Sequence, residues 1–139
     1  MKKLNEAVFN AAKMLLKVSP IIFGTILLIS LIVPLIPNSF YLNIFTKNIF
    51  FDSFIGSLIG SISAGNPITS YIIGGELLSQ GIGLIAVTAF LVAWVTVGVV
   101  QFPAESMILG KKFAVFRNLI SFVFAIFVSL TTIIILGVS

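Results

Sequence analysis

Ser61-Ile62-Ser63-Ala64-Gly65-Asn66-Pro67-Ile68-Thr69-Ser70 breaks an otherwise apolar run, and its reading decides the fold. Gly65 can end a helix, and Asn66 followed by Pro67 reads as the N-cap and first position of a new one. Residues 49–80 then become two helical arms of about 13 to 16 residues that meet at 65–67. Neither arm reaches the roughly 20 residues that a bilayer crossing needs. Two such arms make either a re-entrant hairpin or one discontinuous span. Before the break, Ser53, Ser57 and Ser61 recur at every fourth position, as do Gly56, Gly60 and Ala64. On a helix these are adjacent hydroxyl and small-residue stripes, and the small one lets another backbone approach closely.

Composition sets the surroundings of this break. The chain of 139 residues is 59% hydrophobic and 9% charged, against about 25% charged in an ordinary soluble domain. Eight basic and four acidic side chains cannot cover a water-facing surface. A soluble enzyme and a disordered tail are excluded, and an integral membrane protein is left. Cysteine and histidine are absent. Thiolate and imidazole metal sites and the Ser-His or Cys-His catalytic pairs therefore go with them. No enzyme activity, metal or cofactor is expected. The net charge of +4 marks cytoplasmic loops in so apolar a chain rather than a nucleic-acid surface.

The rest of residues 1–139 reads as one membrane domain. Lys3, Glu6, Asn10, Lys13 and Lys17 form a single polar stripe, so residues 1–17 suit an amphipathic helix in the headgroup region. Residues 18–36 are uncharged, about 28 Å of helix, and form a first span with Pro20 at its start. Residues 37–48 read as an interfacial loop. Residues 82–101 form a second uncharged span with a small face of Ala86, Ala89 and Ala93, 102–112 a connection, and 113–138 a final span. The charges choose the hairpin: it puts the amino-terminal lysines and Lys111, Lys112 and Arg117 on one, cytoplasmic, face. The expected fold is all-α, a polytopic inner-membrane helix bundle with a broken, re-entrant hairpin.

The break is also the candidate site. A helix amino terminus inside a membrane offers unpaired N–H groups and a partial positive charge, which attract anions or substrate carboxylates. Ser61, Ser63, Asn66, Thr69 and Ser70 cluster around it, with Gly65 and Pro67 shaping the tip. A packed Gly-Pro kink explains two of these residues but not five clustered polar ones. Glu76 lies on one face with Thr69 and Gln80. Its default is a solvated carboxylate, its sharper reading a gate or proton carrier. Glu105 follows Pro103 and is expected first to pair with Lys111, Lys112 or Arg117, with gating or proton coupling as its second reading.

At these residues the sequence resembles the YraQ-like permease family, which includes organoarsenical efflux permeases. The stretch that carries the resemblance, about 53–120, contains Ser61 to Ser70, Gly74-Gly75-Glu76-Leu77 and Thr88-Ala89-Phe90-Leu91-Val92-Ala93-Trp94. It continues through Gln101-Phe102-Pro103-Ala104-Glu105, Leu109-Gly110-Lys111-Lys112-Phe113-Ala114 and Arg117-Asn118-Leu119. Larger members look like two related halves, and this chain is similar to one. The resemblance implies a permease without supplying its substrate. Some members carry cysteines near Ser61-Ile62-Ser63; this chain has none, so thiol-dependent arsenic chemistry is not implied.

Three functional readings stand at this point: a half-size permease for a small solute, such as an anion; a passive channel; and a non-transporting membrane assembly subunit. Three spans and a hairpin are too few to seal a polar path from lipid. A second copy, or a related half-permease chain, is the expected partner beside membrane lipid. Gly56, Gly60, Ala64 and the alanine face at 86–93 are its expected contact surfaces, in parallel or antiparallel pairing.

Overall fold

In the computed structural model, residues 1–63 and 65–138 are described, and every element among them is helical. They fall into two units, Met1–Ile36 and Pro37–Ser139. Ala64, third member of the small-residue stripe, lies outside the described residues.

The first unit is a single helix, α1 (Lys2–Ile32), followed by a 3-10 turn at Val33–Leu35. The expected division between an interfacial helix at 1–17 and a span at 18–36 does not occur. Pro20 lies inside α1. A change from charged to apolar side chains alters what surrounds a helix, not its backbone, and proline's fixed φ suits a helix at the loss of one hydrogen bond. The α-helix ends at Ile32 and gives way to the 3-10 turn at Val33, the residue before Pro34, where a following proline disfavours the α conformation. α1 has 31 residues, and none of its most apolar 18-residue stretch is buried.

The second unit holds the break. Pro37 stands before α2 (Asn38–Ile44), a helix where an interfacial loop was expected. Its Tyr41 and the following Phe45 pack against Ile82, Ala86 and Val87, so these aromatics serve a core. The two arms are α3 (Ile49–Ile62) and α4 (Pro67–Ser79), of 14 and 13 residues. They are followed by α5 (Leu84–Thr96), α6 (Phe102–Leu109) and α7 (Lys111–Leu136).

Two expectations fail between 82 and 112. The segment 82–101 is not one span: α5 ends at Thr96 after 13 residues. The segment 102–112 is not a plain connection but contains α6. Hydropathy cannot see the stop, because Val97-Gly98-Val99-Val100 is as apolar as the helix before it. Of the described helices, α1 and α7 are long and apolar enough to cross a membrane, whereas α3 and α5 are shorter apolar helices.

Close contacts fix the directions. A Cβ on Gly56 would lie 2.2 Å from Ala86 O, and one on Gly60 would lie 2.3 Å from Phe90 O. The contact numbers rise together, so α3 and α5 are parallel with their backbones touching. Gly65 lies against Trp94, Gly74 against Leu91 and Val87, and Leu77 against the Ile82–Val87 cluster, so α4 runs antiparallel to α5. The chain therefore reverses at the break. The small faces expected to receive a second copy are spent here inside the chain, with Ala86, Ala89 and Ala93 at most 1% exposed.

Continuous α7 closes the unit. Ser129 meets Ser53 through their hydroxyls at 2.8 Å. Ala125 packs with Ala93 and Val97, and Asn118 reaches Gly98. Antiparallel to α5, α7 lies beside α6 at its start and beside α5 and α3 further on. Its outer face leaves Phe116, Phe124, Phe127 and Ile134 more than half exposed.

Candidate functional site

The tip at 63–67 is built from capping chemistry. Asn66 accepts the amide of Ile68 on its side-chain oxygen at 3.0 Å. Its backbone carbonyl accepts the amides of Thr69 at 2.9 Å and Ser70 at 3.4 Å. The amides of Ile68, Thr69 and Ser70 at this helix start are thus satisfied by Asn66, and Pro67 has none to offer. What remains of the anion-attracting end is its dipole, the Asn66 N–H and Nδ2 and the Thr69 hydroxyl.

The serines behave alike. Ser61 donates to Leu58 O at 2.8 Å, Ser63 to Ile59 O at 2.7 Å and Ser70 to Pro67 O at 2.6 Å. Each proton is committed to its own helix, and each hydroxyl keeps lone pairs as acceptor. Ser61 and Ser70 are buried, Ser63 and Thr69 half-buried, and Gly65, Asn66 and Pro67 exposed. Lower in the hydroxyl stripe, Ser57 Oγ is buried with no hydrogen-bond partner among the described residues.

Trp94 seals the tip. Its indole N–H donates to Gly65 O at 3.3 Å, and its ring packs edge-on to Phe90 with centroids 5.3 Å apart. Gly65 has φ of 151°, a conformation that glycine adopts without strain. Beneath the tip lies a cavity of about 240 Å³ lined by Ile59 of α3 and its C-cap Ser63, Ile73 and Leu77 from α4, Phe90 and Trp94 from α5, and Phe40, Tyr41 and Ile44 of α2 with its C-cap Phe45. Its walls are almost wholly apolar.

A second polar group sits two residues beyond Trp94, where α5 gives way to 97–101. Gly98 N donates to Asn118 Oδ1 at 3.0 Å, and Arg117 Nη2 reaches Thr96 O at 3.5 Å. Arg117 pairs with Glu105, whose other oxygen accepts from Asn118 Nδ2 at 3.2 Å. Of the three basic partners open to Glu105, Arg117 takes it. The cluster satisfies backbone groups that the interruption leaves free, using side chains from α6 and α7.

Glu76 is not brought to either place. It lies near the other end of α4, where its Oε1 accepts from Gln80 Nε2 at 3.1 Å and Ser79 Oγ at 3.2 Å. The two candidate coupling carboxylates are therefore separated, Glu105 at the second interruption and Glu76 at the far end of an arm. Sequence reasoning passed over Asp52, a buried carboxylate in the first turn of α3 that accepts Thr46 N at 2.9 Å. Its signal was visible, since it is the one acidic residue between Glu6 and Glu76. The roles of Asn118 and Trp94 had no local signal, because both act on backbone distant in sequence.

Compared with protein-family models, curated proteins and solved structures, the chain matches none.

Proposed function

We propose that the chain is a multi-pass inner-membrane protein acting as a half-size permease, with a small polar solute passing the tip at 65–67. One observation carries the reading: two helix interruptions lie together, since Trp94 binds Gly65 just before α5 ends at Thr96. Non-helical backbone within hydrocarbon is tolerated only against protein or a water-filled path. A lone packed kink would not require a second break beside it with an ion pair of its own.

In this reading α3 and α4 form a re-entrant hairpin, α5 and α6 cross jointly beside α7, and α1 supplies the first crossing. The lysines at the start of α1 and Lys111 and Lys112 are then cytoplasmic. Asn66 Nδ2 and the Thr69 hydroxyl meet the solute, and Ser61, Ser63 and Ser70 offer lone pairs. With the amides of Ile68, Thr69 and Ser70 occupied, a neutral polar solute fits as well as an anion. The resemblance to the YraQ-like permeases supports the same reading, and a second copy or related half chain completes the path against lipid. The assembly-subunit reading draws on the commitment of the tip serines to their own helices.

Osmotic swelling of proteoliposomes across a panel of small anions and neutral polar solutes tests the proposal. Flux should saturate, and Asn66→Ala with Thr69→Ala should abolish it without loss of membrane insertion. Undiminished flux in that variant sinks the site. Flux without saturation favours the channel, and absence of flux with a fixed copurifying partner favours the assembly subunit.

A further inference from the structure

Asp52 is a carboxylate that the transport reading leaves unused. It is 3% exposed, and one oxygen is held by the Thr46 amide. It borders a cavity of about 420 Å³ whose polar lining comes from Lys47, Asp52, Gln80 and the turn Gly81–Ile82–Gly83. That turn is where α4 ends, with Gly81 at φ of 86°. Glu76, Leu77 and Leu78 O accept the amides of Gln80, Ile82 and Gly81, and Gly83 O accepts those of Ala86 and Val87, so among the described residues the carbonyls at this turn without a backbone donor are those of Gln80, Gly81 and Ile82. Gln80 spends its Nε2 on Glu76, which leaves its Oε1 as an acceptor. Lys47 lines the same cavity but forms no direct ion pair with Asp52 among the described residues. A buried carboxylate without an opposite charge is costly. The available donors are hard oxygens, which suit alkali cations rather than soft metals. A single negative charge matches a single positive one.

We propose that Asp52, Gln80 and the carbonyls of the turn at Gly81 and Ile82 bind a small monovalent cation of the size of sodium. The site is separate from the tip, and equilibrium binding needs no flux, so this proposal and the transport reading can fail independently. The test is binding of radiolabelled sodium to the purified full chain in lipid nanodiscs. Binding should saturate near one ion per chain, yielding to unlabelled sodium and not to choline. Asp52→Asn keeps an acceptor for Thr46 N while removing the charge, so a merely structural Asp52 would tolerate it. Sodium should bind that variant at least about tenfold more weakly, as expected for a lost charge-assisted contact. Gln80→Leu should weaken binding with Asp52 in place, and Lys47→Gln should tighten it by removing a competing positive charge. Absence of saturable binding in the native chain overturns the proposal, as does native-like affinity in both Asp52→Asn and Gln80→Leu.

Discussion

Replacing Gly56 with alanine puts the backbone contact of α3 and α5 to a direct test. The added Cβ would stand 2.2 Å from Ala86 O and 2.9 Å from Ala86 C, both backbone atoms that cannot rotate away. Carbon and oxygen in contact need a little over 3 Å, so the helices must part by roughly 1 Å. Such a gap forfeits a quarter to a half of each neighbouring contact energy, and overpacking a tight core costs about 1–3 kcal/mol. The methyl also restores about 0.5–1 kcal/mol of helix propensity. The net loss for Gly56→Ala is about 1–2 kcal/mol, with a similar value for Gly60→Ala. Gly75, inside α4, has nothing within 4 Å of its would-be Cβ, so Gly75→Ala should be neutral or mildly stabilising. Thermal unfolding in one detergent, followed by fluorescence of the single tryptophan, Trp94, reads all three. Equal melting of Gly56→Ala and Gly75→Ala would refute direct backbone contact between α3 and α5.

Three further outcomes follow from the same geometry. Ser129→Ala strands the buried Ser53 hydroxyl and should cost about 1–2 kcal/mol, whereas Ser53→Ala leaves Ser129 bonded to Ile126 O and should cost about 1 kcal/mol or less, with the double variant below their sum; strict additivity would deny the pair. Asn118→Ala should raise amide exchange at Gly98 about tenfold by removing its acceptor, leaving the amides of α3 unaffected. Gly65→Ala meets both a positive φ and the Trp94 ring at 3.1 Å, so it should destabilise the tip by about 1–3 kcal/mol and shift Trp94 emission, which an unchanged spectrum would contradict.

The break at 65–67 was legible because its causes are local. Glycine, a capping asparagine and a proline at the first helical position each dictate their own backbone. The end of α5 was not legible, because its backbone is satisfied by Asn118 and Arg117 from a helix later in the chain. Hydropathy averaged across Val97-Gly98-Val99-Val100 carries no trace of that contact. The small-residue stripe was correctly read as a place of close approach, but its partner came from the same chain. Spacing along one helix states that a neighbour can come near without saying which. At the site, the polar cluster could be seen in the sequence, but the use of its donors could not. Whether Asn66 meets a ligand or its own helix is a matter of torsion angles, and here it caps.

The touching backbones of α3 and α5 also govern how the second unit can move. Two helices in contact through glycine have no side chain between them to act as a lever, so they shift as one rigid body. α4 is held differently: Gly74 meets side-chain methyls of Leu91 and Val87 rather than backbone, and the helix lies between Gly65 and Gly81, both at positive φ. A segment with a pivot at each end and a soft bearing along its length absorbs displacement that its neighbours resist. Any opening of the tip is therefore a swing of α4, with Trp94 as its latch.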